Sequence, residues 1–155
     1  HGRQPALPGA HPVTTAPATR VGTIVSTLSA ATAVSSQIYR ARMRPMAAQH
    51  TDAVVVRILS ATPERMELSG APIDFTTQIA VECYARSATT TPDLAADTLL
   101  ANVYAKLMAD PSLGGTVMDL NLTGIDYDFD ADADSTACVT LMLQVRHRTN
   151  SATLT

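Results

Sequence analysis

The chain has 155 residues, of which 46% are hydrophobic, 16% charged and 4% aromatic, with a formal net charge of −3. This length fits one domain, and the apolar fraction excludes a wholly disordered chain, while the charged fraction sits below the usual quarter. A collagen-like repeat and a long coiled coil are excluded by the same composition, and an isoelectric point near 5.7 argues against a protein whose main task is gripping phosphates.

Residues 1–19 hold Pro5, Pro8, Pro12 and Pro17 and almost no large apolar side chains. Such a stretch is expected to be an extended N-terminal arm. From Arg20 to about Ala33 a helix is expected, because Val21, Ile24, Val25 and Leu28 form an i, i+3, i+4, i+7 stripe. The same segment, with Arg20 ahead of it and Ala31-Thr32-Ala33 behind, imitates a secretory signal. Four Ser/Thr residues within Thr23–Ser29 and the residues that precede it favour an amphipathic helix instead. Gln37 to Arg44 alternates up to Pro45, and Ala53–Leu59 is a nearly continuous apolar run of the kind a buried strand uses. Thr62-Pro63 is expected to break that strand, with Glu64–Ser69 a hairpin return before the Gly70-Ala71-Pro72 turn.

Ile73–Arg86 alternates along its whole length: Ile73, Phe75, Thr77, Ile79, Val81, Cys83 and Ala85 share one face, and Asp74, Thr76, Gln78, Glu82 and Arg86 the other. Thr91-Pro92-Asp93 then opens a second helix, with Ala96, Leu100, Val103 and Leu107 as its buried stripe and Pro111 and Gly114-Gly115 beyond its end. Two long strands follow, Val117–Phe129 and Ala137–Arg148, joined through Asp130–Ser135. In the first, Met118, Leu120 and Leu122 are out of phase with Ile125, Tyr127 and Phe129, which a bulge or bend at Thr123-Gly124 would reconcile. The order implies an α+β fold: a mainly antiparallel, mixed sheet with two helices on one face, occupying residues 20–150, and a short tail at 151–155.

The chemistry inventory is thin. No phosphate loop, nucleophile elbow, HExxH or CxxC is present, and no run of eighteen apolar residues offers a membrane helix. Cys83 and Cys138 read as free thiols inside strands, which suits a reducing cytoplasm. A Cys138/His147 nucleophile pair would need side chains that alternation places on opposite faces. No enzyme and no cofactor is expected. Asp126, Asp128, Asp130, Asp132 and Asp134 recur at every second residue, yet each calcium-loop register lacks the Gly at position six and the Glu at position twelve. They read instead as an acidic strand face that must be solvated, matched by a partner's cations, or used to repel DNA. Arg40, Arg42 and Arg44 repeat the spacing with opposite sign, and Arg146 and Arg148 form a shorter version. Two readings stand for these: a solvated edge that resists pairing, or an Arg strip that meets the Asp strip of the next subunit head to tail. Ten of the eleven cations are Arg, the residue suited to planar pairing with carboxylates.

The ordered elements resemble the tail terminator proteins of long-tailed bacteriophages, the lambda-type minor tail protein family. The residues that carry the resemblance are the opening helix, Ala53–Leu59, Ile73–Arg86, the passage from Asp93 through Leu107-Met108-Ala109-Asp110-Pro111-Ser112-Leu113-Gly114-Gly115 to Val117, and Leu141–Thr149. The arm is longer than in the family, and His147 stands where the family pattern has an aromatic. The resemblance implies a non-enzymatic virion protein of the tail–neck region, assembled in the host bacterial cytoplasm. It implies a hexameric ring that caps the tail tube, stops its polymerisation and offers a surface to a head-completion or neck protein, while DNA passes through the lumen without sequence-specific binding and no membrane is involved. The Asp126–Asp134 run is then a candidate lumen lining. The competing readings are another neck component, a stopper or connector, and a monomeric metal- or ligand-binding module built on the aspartate run.

Overall fold

A computed structural model describes residues 14–30, 32–41, 50–64, 72–87, 89, 91–129, 136–149 and 154–155. Helix α1 spans Ala16–Ser29, four residues earlier than its apolar stripe suggests. Pro17 sits in its first turn, where the missing N–H costs nothing, so the expected arm gives up residues 16–19 to the helix. Its hydroxyls are absorbed by the helix backbone: Thr19, Thr23, Thr27 and Ser29 each donate to the carbonyl four residues back. Val21, Ile24 and Leu28 are buried along one side. Residues 1–13 of the expected arm lie outside the described residues.

Strand β1 (Ile38–Arg40) is only three residues long and pairs in parallel with β2 (Asp52–Pro63). β2 runs four residues past the expected end at Leu59, because Pro63 falls on its last position, where a proline is tolerated. β2 pairs antiparallel with β3 (Ile73–Arg86), and a register shift between Ile58 and Ser60 marks a bulge. The Glu64–Ser69 return lies, after Glu64, outside the described residues. β3 pairs with β5 (Thr136–Thr149), and β5 with β4 (Asp119–Phe129), both antiparallel. The order across the sheet is β1-β2-β3-β5-β4. Four strands are antiparallel neighbours and one joins in parallel, as the sequence leads one to expect of a mixed α+β sheet.

Helix α2 (Pro92–Met108) begins at the expected Thr91-Pro92-Asp93 and buries Ala96, Leu99, Leu100, Val103 and Leu107. Both helices lie on one sheet face, α1 against β1 and β2, α2 against β3 and β5. Between them and the sheet sits an aliphatic core that includes Val54, Val56, Ile79, Val81, Val139, Leu141, Leu143 and Val145. Each side chain buried to this degree contributes about 1.5–3 kcal/mol relative to exposure. The α2–β4 connection is held by one carboxylate: Asp110 accepts from the Ser112 hydroxyl at 2.7 Å and from the Gly114 N–H at 2.6 Å. Leu113, Gly114 and Gly115 all have positive φ, so the glycines are needed for backbone freedom, and Leu113 is anchored by burial.

Candidate functional site

The sheet has one covered face and one open face. On the open face Asp74, Thr76, Gln78, Glu82, Thr140, Met142, Gln144 and Arg146 are only half-buried, and among the described residues no helix covers them. Here the charged side chains lie in reach of one another. Arg148 grips Asp74 with Nε at 2.8 Å and Nη2 at 3.3 Å, Arg146 meets Glu64 at 2.9 Å, and Arg57 meets Glu82 at 2.9 Å. The hydrogen bond from Arg148 holds the Asp74 carboxyl below its usual range. Arg146 and Arg148 thus have carboxylate partners within their own chain.

Register places Asp126 opposite Thr140 and Asp128 opposite Cys138, so both acids belong to the open face, and both are exposed. Among the described residues neither takes part in an ion pair. Asp130, Asp132 and Asp134, like Arg42 and Arg44, lie outside the described residues. Arg40 pairs with Val56 and so belongs to the helix face, the opposite face from Asp126 and Asp128. Its Nη2 donates to the Ala18 carbonyl of α1 at 2.7 Å. Asp126 and Asp128 share one face, as do Arg146 and Arg148, while Arg40, the described Arg of the first strip, is turned toward its own helix.

The sheet also has two open edges. Among the described residues, β1 covers β2 only as far as Val56 and nothing pairs with the same side of Arg57–Pro63, every residue of which is exposed. Ile58 and Leu59 are 43% and 42% exposed there. At the far edge, β4 pairs only with β5. A register shift between Leu122 and Gly124 occupies the place expected of a bulge, and it turns Leu122, Ile125 and Tyr127 to the helix face together. α2 does not reach far enough to cover them, and Tyr127 is left 56% exposed. The result is a groove of about 200 Å³ lined by Asp97, Leu100, Ala101, Tyr104, Leu122, Ile125 and Leu141. Sequence reading missed this groove. Its signal was a second apolar row on α2, Leu94, Ala101 and Tyr104, outside the stripe that meets the core.

The described residues assemble no Cys–His nucleophile pair. Cys138 and His147 lie on opposite faces of β5, as alternation requires. Burial pushes the Cys83 thiol up to about 12 and also raises that of Cys138, so both are thiols rather than thiolates at neutral pH. His147 is fully buried, stacks on Phe75 with ring centroids 6.1 Å apart, and shares a 2.7 Å hydrogen bond with the Thr77 hydroxyl. It fills an aromatic's place as a flat ring. Among the described residues no group of three or more His, Cys, Asp or Glu side chains is placed to hold a metal ion, and no helix is long and apolar enough to cross a membrane.

No protein-family model and no curated protein sequence matches this chain. Among solved structures, it is similar to a chain from the virion of a native gene transfer agent particle, with a TM-score of 0.56 and 12% identity, over 83% of this chain and 93% of that one. At that identity the likeness is one of fold, and the shared fold extends over nearly the whole of the virion chain.

Proposed function

We propose that this protein is a structural component of a phage-type virion, a tail terminator whose subunits form a ring on the end of the tail tube. The observation that carries the reading is the fold shared with a gene transfer agent virion chain along almost its full length. The two open sheet edges support it, because a domain with unmatched contact surfaces on opposite sides is built to be repeated. In this reading six subunits close the ring, its tube-facing surface stops further polymerisation, and its other surface receives a head-completion or neck protein. The open sheet face, with the Asp126–Asp134 run starting on its edge strand, lines a lumen that lets DNA pass without sequence-specific contact. The protein has no catalytic role and resides at the tail–neck junction after assembly in the bacterial cytoplasm.

Incubating the protein with purified tail tubes and imaging their ends tests this directly. Decoration of one end only, with no further tube growth, is the expected result. Absence of end binding together with binding to the head vertex would replace the terminator by a stopper or connector of the neck. A calcium-dependent monomer with no affinity for either would favour the ligand-binding module. The lumen assignment has its own test: reversing the charge of Asp126, Asp128 and Asp130 is expected to impair assembly or DNA delivery, and unchanged particles would overturn it.

A further inference from the structure

The two open edges match each other. We propose that the free edge of β2, Arg57–Pro63, docks on a second copy of this chain along β4 and the groove beside α2, so that one sheet continues into the next. This rests on the ring reading above and names the contact that would build it. The matching runs through both faces of the sheet at once.

On the helix face, β2 offers Ile58, whose cross-strand partner Ile79 belongs to the core, and the bulged Leu59 follows it. β4 offers on its helix face Leu122, Ile125 and Tyr127, with Tyr104 of α2 beside them. All of these are between 37% and 56% exposed, an uncommon use of large apolar side chains on two strand edges. On the open face, β2 offers Arg57, whose partner is Ala80, and β4 offers Asp126 and Asp128. When a second sheet is laid edge to edge with the first, helix face to helix face, apolar meets apolar and Arg57 meets the two aspartates. With the sheet turned over, Arg57 would meet the apolar groove and Ile58 the carboxylates. The residue pattern therefore selects one orientation of the partner.

The electrostatics follow the sheet order. α2 and β4 carry Asp93, Asp97, Asp119, Asp126 and Asp128, against the single cation Lys106. Lys106 is turned toward the carbonyls of Ala30 and Thr32. Arg20, Arg40 and Arg57 lie on α1, β1 and β2, at the opposite side of the sheet. Arg57 engages Glu82 through one Nη2 contact, and its side chain remains 51% exposed, which leaves other guanidinium N–H groups free to bridge to a second carboxylate. Because the two surfaces differ and sit on opposite edges, the contact is heterologous. It leaves both outer edges available for the next copy, and it closes only as a ring.

The test uses the full chain and measures self-association by analytical ultracentrifugation. Arg57→Glu is expected to weaken association by about tenfold or more, since it places like charges together. The double variant Asp126→Arg, Asp128→Arg is expected to do the same. Mixing the two variants restores assembly, because each β2 edge then faces a β4 edge of opposite sign. Rescue on mixing also shows that both variants are folded. Variants that associate as the parent chain does would overturn the edge contact, and so would folded variants whose mixture fails to recover. Reversed-charge variants that still form rings on tube ends would reject this contact while leaving the terminator reading intact. A parent chain that remains a 16.3 kDa monomer up to about 1 mM and never binds a tube end would reject both.

Discussion

β4 and β5 are neighbouring antiparallel strands with the same alternation, yet they end in different states. Along β5 every second residue from Ala137 to Thr149 is buried. Among the described side chains of β4 only Leu120 is buried, and Leu122, Ile125 and Tyr127 remain 37–56% exposed. The difference comes from α2, whose core stripe lies over β3 and β5 and stops short of the edge. Apolar alternation marks a face that requires cover. It does not say whether the cover comes from the same chain. In β5 it does; in β4 the position is open.

Substitution of matched positions would break or sharpen this contrast. Leu143→Ala removes a fully buried side chain, next to Leu122 in register, and is expected to cost about 2–5 kcal/mol in urea unfolding. Leu122→Ala is expected to cost less than about 1 kcal/mol in the isolated chain, but to weaken self-association. Equal losses of stability at the two positions would mean that α2 covers the edge in solution and that the groove is closed.

Most of the fold was legible because period-two and helical stripes report burial directly. Ile73–Arg86, Ala137–Arg148 and the buried row of α2 follow their patterns, with Leu99 added to the α2 row and Ala80 buried on the other face of β3. The Thr123-Gly124 irregularity also follows from phase alone, since Leu122 and Ile125 can share a face only if one residue is extra. Four features escaped for physical reasons. The start of α1 was hidden by Pro17, which discourages a helix everywhere except its first turn. The extension of β2 to Pro63 depends on β3, a partner that comes ten residues later in the sequence. The fate of the charge strips depends on three-dimensional neighbours: spacing puts Arg146 and Arg148 on one face, but it does not supply Glu64 and Asp74 across the sheet. The groove was missed because it is made between two elements, from a second apolar row on α2 and the edge strand.

A smaller effect separates the backbone of the α2–β4 connection from the side chains around it. Gly114 has φ of 71° and nothing within 4 Å of where a Cβ would stand. Gly114→Ala therefore meets no clash, and its whole cost is the left-handed backbone, about 1–2 kcal/mol by thermal or urea unfolding. A neutral result would show that the turn relaxes to another conformation. In that case β4, which this turn sets in place, would lose its register on β5, visible as faster amide exchange along Asp119–Leu122. The Asp110 carboxyl adds a pH-sensitive part. Hydrogen bonds from Ser112 and Gly114 hold it below the usual carboxylate range, so its contribution is present above the ordinary carboxylate pKa and fades as acid protonates it.

The smallest effect lies at the other end of the covered face, where the core under α1 turns polar. Phe75, Thr77, His147 and Thr149 are all buried there, and His147 Nδ1 and Arg20 Nε have no hydrogen-bond partner among the described residues. Burial first, and the Arg20 charge second, hold the His147 imidazole below its ordinary value. The neutral ring is the form the fold accepts, so the unfolded chain binds the proton more readily. Stability is then full above the ordinary histidine range near pH 6.5 and declines as pH falls through it, until the folded form is itself protonated. One proton limits the slope to about 1.4 kcal/mol per pH unit. His147→Phe keeps a flat ring against Phe75 and removes the titration, so its unfolding free energy is expected to vary less between pH 7 and pH 5 than that of the parent chain. An unchanged pH profile would place the sensitivity elsewhere. A loss of stability in the variant that is equal at the two pH values would be the cost of leaving the Thr77 hydroxyl without its imidazole partner. Either outcome leaves β4 unaffected, because His147 lies beyond the last residue that β4 reaches on β5.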